Sequence, residues 1–415
     1  MTDAPLAAAD LAGPHNWWGL GAPRFALWKF THSQIRALGA TVMRIRGTGQ
    51  ERLPATGPYL LLPNHTSFLD PFTVTAPLRR PLHYMASAES LKTPVMGPYL
   101  KALGAFPKVK YLKDADSMRQ MTELYNAGHV VTIFPEGRRS WDGVTLPLLP
   151  GLGRTVKRLK ARVVLARMTT TYFFHPRWAV WPRYAPNWIE YLGPFEYTEE
   201  QTAEEITADI ERRLRVESHL PDGVPVRGWR LAEGLPNLLW ACPRCLNLGG
   251  LDIYGENRDH LRCRACGEAW RLDVATRLHP VGGGEPLIAG AAWRDLCARL
   301  GDQPVQDARR HAASGVVLAT ARGIVSRVRR GHGVDEVARG QVLLSEDRLT
   351  VRGAGGELWA LKLQDMVSVS VELGNRVQLR TEDALFQLDV VGESVLKWGH
   401  FIKRWRDPAD PIEAG

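Results

Sequence analysis

No run of apolar residues in this chain reaches the roughly 18 to 20 positions that a membrane-crossing helix needs. Any contact with a bilayer is therefore expected to be peripheral. The opening residues, "MTDAPLAAADLAGPHNWW", lack a basic stretch followed by an apolar one, so no secretory leader is expected. There is no Gly-x-Ser-x-Gly elbow to present a serine nucleophile, and no Walker A loop to cradle ATP. Cysteine is scarce, with five residues in 415. Four of these stand in paired Cys-x-x-Cys units, which argues for a metal in a reducing compartment rather than for disulfides.

What is present is the composition of a globular protein: 45% hydrophobic, 23% charged, with a mean hydropathy of -0.21. The length admits two or three domains. Lys and Arg number 53 against 44 Asp and Glu, a formal charge of +9 with a pI near 9.4. That surplus favours an anionic partner, and nucleic acid, an acidic membrane surface or a phosphorylated substrate all fit. Tryptophan is abundant, with 14 residues, and Trp17, Trp18, Trp28 and Trp141 lie in or near the first third. Its indole suits places where apolar matter meets water.

Three zones separate by pattern. From about 20 to 220, short apolar runs such as "YLLLPN", "VVTIFPEG" and "RVVLARMTTTY" alternate with helical stretches. This predicts an α/β domain with a mainly parallel sheet, closed by a helix at "TAEEITADIERRLRV". A joint, "LPDGVPVRGW", leads to a compact cysteine unit at 236–275, and a glycine-rich link to a helix at "AAWRDLCARLG". The lone Cys297 in that helix reads as a buried small apolar residue. From 316 to 407 the period becomes two, predicting an all-β meander of six or seven strands capped by the C-terminal helix "ESVLKWGHFIKRW". Its strand order and length resemble the PH-like group, and the GRAM subset most of all.

The stretch "LLPNHTSFLDPF" places His65 and Asp70 five residues apart. On one straight helix they would point roughly 140° apart, so they meet only if the chain bends. If "YLLLPN" is a strand, His65 stands at its carboxyl end, where α/β folds keep their ligands. "DP" then starts the next helix, with Asp70 as N-cap and Pro71 at its first position. Two readings stand side by side: a catalytic pair, or a helix cap beside an ordinary loop histidine. Downstream, "VVTIFPEGRRS" ends a strand in Pro-Glu-Gly and sets Arg138 and Arg139 at its terminus. That suits a phosphate, or simply a charged loop.

Taken together, Asn-His-x-x-x-x-Asp followed by Phe-Pro-Glu-Gly-x-Arg-Ser resembles the glycerolipid acyltransferases typified by 1-acylglycerol-3-phosphate acyltransferase. The likeness runs over roughly residues 25–215, through "LGAFPKVK" and "LPGLGRTVKRL". It implies that His65 is the general base and that Asp70 orients its imidazole. An acceptor hydroxyl would attack the thioester of acyl-CoA or acyl-carrier protein directly. Glu136, Gly137 and Arg139 would then bind the acceptor's glycerol phosphate. Arg138 stands where the family has threonine, and Lys110, with Lys108 as neighbour, stands where it has a phosphate-binding arginine. Lysine keeps the charge but loses the bidentate fork, so the acceptor's identity stays open.

The segment "PRFALWKFTHSQIRALG" spaces Phe25, Trp28, Ile35 and Leu38 as one helical stripe, fit either for a membrane interface or for a core. The basic run 151–162 adds attraction for anionic headgroups. The expectation is a cytoplasmic protein held peripherally on the cytoplasmic face of a membrane, with a membrane lipid as acceptor.

Cys242, Cys245, Cys263 and Cys266 have the spacing of a zinc ribbon, two thiolates from each of two knuckles closing a tetrahedral structural Zn2+ site. A closed site leaves no position for catalysis, and a redox role for either pair is the weaker alternative. The arginines nearby read as solvated surface, and nucleic acid is not expected as a partner. The competing functional readings are a nucleic-acid-binding zinc-ribbon protein and a lipid-binding scaffold without activity.

Overall fold

The computed structural model describes residues 22–87, 90–94, 96–108, 115–300, 316–329, 334–372 and 376–407. The chain divides into two compact units, one of residues 1–177 and 182–227, the other of residues 178–181 and 228–415.

The first unit is built on a seven-stranded sheet of β1 (Ile45–Thr48), β2 (Tyr59–Pro63), β3 (Leu82–Ser87), β4 (Phe106–Lys108), β5 (Val130–Thr132), β6 (Val163–Met168) and β7 (Asn187–Phe195). Their order is β1-β7-β6-β2-β5-β3-β4. All neighbours run parallel except β6 and β7. Every residue of β2 is buried, as befits a central parallel strand covered on both sides. Leu60 and Leu62 join one core with Met121, Val156, Ile206 and Ile210. Tyr59 and Leu61 join another with Val74, Val130 and Tyr191.

The helices of this unit are α1 (Ala22–Thr41), α2 (Asp70–Thr75), α3 (Met96–Ala102), α4 (Ala115–Asn126), α5 (Leu152–Leu159), α6 (Thr171–Phe174) and α7 (Ala203–Leu214). The closing helix α7 starts with a capping box between Thr202 and Glu205 and buries Ile206, Ile210 and Leu214. Gly153 lets α5 approach it: a Cβ there would stand 1.8 Å from the Ala203 carbonyl oxygen. In α1 the expected stripe divides. Trp28 is buried with Thr31 and His32, whereas Leu38 is 54% exposed and Phe30 64%. The inward side is set by packing on α2 and β1, which selects the face holding Trp28, His32 and Gly39.

In the second unit, α8 (Leu235–Leu238) precedes a five-stranded antiparallel sheet: β8 (Leu251–Tyr254), β9 (His260–Cys263), β10 (Ala269–Leu272), β11 (Arg277–Pro280) and β12 (Leu287–Ile288). The helix α9 (Ala289–Arg299) follows and buries Cys297. A second antiparallel sheet holds β13 (Val316–Val328), β14 (Val334–Ser345), β15 (Arg348–Gly353), β16 (Gly356–Lys362), β17 (Ser368–Glu372), β18 (Arg376–Arg380) and β19 (Leu385–Val390), in the order β16-β15-β14-β13-β19-β18-β17. The last helix, α10 (Val395–Arg406), is capped by Ser394 and packs Val395, Leu396, Trp398, Phe401 and Ile402 inward. His400 is buried with them, whereas Trp405 is only partly buried.

Candidate functional site

The site forms where β2, β5 and β6 end. Asn64, fully buried, locks the exit of β2 to that of β6: its Oδ1 accepts from the Met168 amide at 2.7 Å and its Nδ2 donates to the Met168 carbonyl at 3.2 Å. His65 follows at once and is held at four points. Its amide donates to Oε1 of Glu136 at 2.6 Å, and its carbonyl accepts from the Ser140 amide at 2.8 Å. Its ring stacks on Phe134 with centroids 4.0 Å apart. Nδ1 lies 2.8 Å from Oδ2 of Asp70.

The bend that joins this pair is a turn in which the Asp70 amide donates to the Ser67 carbonyl at 3.3 Å. Asp70 is the first residue of α2 and Leu69 its cap, one position off the sequence expectation. The carboxylate does not cap forward. It turns back, Oδ2 accepting from the amides of Thr66 at 2.6 Å and Ser67 at 2.8 Å. Both are buried residues, and a buried N–H needs an acceptor. Asp70 is itself fully buried, while the His65 side chain keeps 19% of its surface exposed. The histidine is therefore the reachable member, with Nδ1 engaged and Nε2 on its other side.

Glu136 ties two loops together, since its Oε2 accepts from the Leu146 amide at 2.7 Å. Burial raises its pKa well above the usual carboxylate range, against the pull of those two amides. Gly137 follows with φ 70°, a left-handed backbone conformation that favours glycine. Arg138 and Arg139 are both partly buried. Burial depresses Arg139, the charge of Asp70 opposing it, and its Nε has no hydrogen-bond acceptor.

Sequence reasoning missed Arg177. Its Nη1 donates to the Arg139 carbonyl at 2.8 Å and its guanidinium sits over Trp141 at 4.2 Å. Burial, then the charges of Arg139 and Arg138, press its pKa well down. A guanidinium nevertheless stays protonated, so three cations gather beside the carboxylates of Glu136 and Asp70. An arginine set among the aromatic residues of "TYFFHPRW" is the signal that could have exposed it. Lys108 ends β4, on the same edge but three strands from β2, roughly 14 Å. Lys110 lies outside the described residues.

In the second unit the sulfurs of Cys242, Cys245, Cys263 and Cys266 all lie within 4.8 Å of one another. Cys242 and Cys266 are 3.8 Å apart, Cys245 and Cys263 3.7 Å. Thiolates about 2.3 Å from a tetrahedral zinc stand about 3.8 Å from each other, so the cluster fits such an ion. The two halves are built alike. The amides of Leu246 and Gly267 donate back to the carbonyls of Cys242 and Cys263, at 2.9 and 3.0 Å, and both residues have positive φ, 62° and 76°.

Residues 44–169 match the protein family described as Acyltransferase. The chain is 26% identical over 121 residues to the 1-acyl-sn-glycerol-3-phosphate acyltransferase of Bacillus subtilis, covering 29% of this chain and 61% of that protein. It is 31% identical over 106 residues to a chloroplastic 1-acyl-sn-glycerol-3-phosphate acyltransferase of Brassica napus, covering 25% and 30%. The crystal structure of the 1-acyl-sn-glycerophosphate acyltransferase PlsC from Thermotoga maritima matches with a TM-score of 0.40 and 19% identity, over 47% of this chain and 81% of that one. The chain thus spans about three fifths of the first curated relative and under a third of the second.

Proposed function

From a chain whose residues 44–169 belong to the acyltransferase family, we propose an enzyme that moves an acyl group from a thioester donor, acyl-CoA or acyl-carrier protein, to the hydroxyl of a lysophospholipid-type acceptor. The observation that carries this reading is the 2.8 Å contact of His65 with buried Asp70, beside the cluster of Arg138, Arg139 and Arg177. A hydroxyl is a poor nucleophile at neutral pH, and a base must take its proton as it attacks. Asp70 holds the proton on Nδ1, which leaves the Nε2 lone pair for that task. Histidine's ordinary pKa of about 6.5 suits it.

As the hydroxyl oxygen bonds to the thioester carbon, its proton passes to Nε2. When the carbon–sulfur bond breaks, the imidazolium returns the proton to the departing thiolate. Arg138, Arg139 and Arg177 hold the acceptor's phosphate, with Lys108 farther along the strand ends; Lys110 is kept as a phosphate contact on the family likeness alone. Gly137 shapes the turn and Glu136 positions the histidine loop. The four cysteines would hold a structural Zn2+, which leaves no open position for chemistry. The antiparallel sheet with α10 serves as a PH-like module for lipid or protein contact. Phe68, in the turn between His65 and Asp70, is 62% exposed and offers an apolar contact for peripheral association with a bilayer, which this reading places on the cytoplasmic face. No helix among the described residues is long and apolar enough to cross a membrane.

The test is release of free CoA from acyl-CoA in the presence of a panel of lysolipids. His65→Ala is expected to lower turnover by ~10³-fold or more with metal content unchanged. Equal turnover in that variant would overturn the assignment.

A further inference from the structure

Beyond the catalytic groups, the first unit holds a cavity of about 640 Å³ lined by Arg44, Arg46, Tyr184, Trp188, Asp222 and Pro225, among others. It opens where β1 and β7 begin. Because β7 runs antiparallel to β6, that is the same sheet edge on which β2 delivers His65. β7 lies two strands from β2, about 10 Å, and β1 three. The two places share a connection: Met168, gripped by Asn64, precedes Thr169, whose amide donates to the Trp188 carbonyl at 3.1 Å.

The walls carry two arginines, each with an aromatic residue as neighbour. Arg44 stands over Tyr184 at 4.9 Å, and its Nη1 is steadied by the Pro225 carbonyl at 2.6 Å. Arg46 sits directly beside Trp188 in the parallel register of β1 and β7. Arg46 is exposed and makes no ion pair among the described residues. Guanidinium groups attract phosphates, while the exposed ring of Tyr184 and the half-buried one of Trp188 offer stacking faces to a base. Asp222 repels a bare phosphate but accepts from the hydroxyl of a sugar or the amino group of a base. The set matches a phosphorylated nucleoside better than phosphate alone.

We propose that this cavity receives the phosphorylated nucleotide end of the acyl donor, which makes the donor an acyl-CoA and not an acylated carrier protein. This rests on the acyltransferase reading, and its test is binding, which does not depend on turnover. The full chain is titrated calorimetrically with CoA, with 3′,5′-ADP, with inorganic phosphate and with sn-glycerol 3-phosphate. CoA and 3′,5′-ADP are expected to bind at least tenfold more tightly than phosphate. Arg46→Glu and Tyr184→Ala, both at exposed positions, are expected to weaken CoA at least tenfold. His65→Ala keeps CoA affinity within about twofold, so a failure of the catalytic assignment is seen separately. Equal CoA affinity in wild type, Arg46→Glu and Tyr184→Ala would overturn the proposal. So would glycerol phosphate binding that depends on Arg46 while CoA does not bind, which would make the cavity a headgroup site.

Discussion

The carboxylate of Glu136 holds the backbone amide of His65 at 2.6 Å across 71 residues of sequence. With its second oxygen on the Leu146 amide, both carboxylate oxygens are taken up by backbone amides. On the proposed reading Glu136 is a positioning residue, in place of the acceptor contact that the resemblance implied. Glu136→Gln keeps the shape but turns an N–H group toward one of those amides, exchanging attraction for repulsion. The expected result is a fall in kcat of at least tenfold with KM changed less, and Glu136→Asp recovering part of it. A KM effect alone, with kcat intact, would show that Glu136 acts on the acceptor instead.

Asp70 accepts three donors on one oxygen: the amides of Thr66 and Ser67 and Nδ1 of His65. In Asp70→Asn the side-chain oxygen still serves the two amides, so the turn forms. The charge that fixes the imidazole tautomer is gone, and turnover is expected to drop by roughly 10³- to 10⁴-fold with little change in the thermal midpoint. Asp70→Ala strands two buried amides as well and is expected to cost about 2 to 4 kcal/mol of stability. Measuring rate and urea unfolding for both variants separates the two roles. An Asp70→Asn enzyme with wild-type turnover would remove Asp70 from the chemistry.

Much of this architecture was legible because its signals are local. The buried β2 follows from an unbroken apolar run, α7 from its helical periodicity, and the His65–Asp70 bend from a strand exit followed by Asp-Pro. The cysteine cluster was readable from spacing alone. Arg177 and the Arg44/Arg46 cavity were not, because they depend on which strand ends the sheet brings together. No local pattern encodes that β7 runs back beside β6. Which side of α1 faces inward stayed open for the same reason: its neighbours α2 and β1 decide the face, and burying Gly39 and His32 leaves Leu38 outside.

The paired cysteine turns predict a bound metal. Purified from zinc-sufficient medium, the chain is expected to carry one zinc per molecule by elemental analysis. Cys245→Ser and Cys266→Ser should each lose most of it, because removing one thiolate of four opens the tetrahedron. Treatment with a strong chelator should expose residues 236–275 to proteolysis before the rest of the chain. Full protection without metal would mean that the cluster folds on its own apolar contacts.

Two buried histidines make stability depend on pH. His83 is pressed down to about 4 by burial and then by His129, while its Nδ1 contacts the Gly104 carbonyl. His400 is also pressed to about 4 by burial, then by Arg404 and Lys403, with the rings of Trp240 and Phe401 against it. Each group binds a proton more readily in the unfolded chain, whose histidines titrate at about 6.5. Stability is therefore full above that value and is lost as pH falls toward 4, by about 2 kcal/mol per histidine at pH 5. Urea midpoints at pH 7.5 and 5.0 read this directly. His400→Leu, which keeps the volume and removes the titration, is expected to narrow the difference between them. An unchanged difference in that variant would place the acid sensitivity elsewhere.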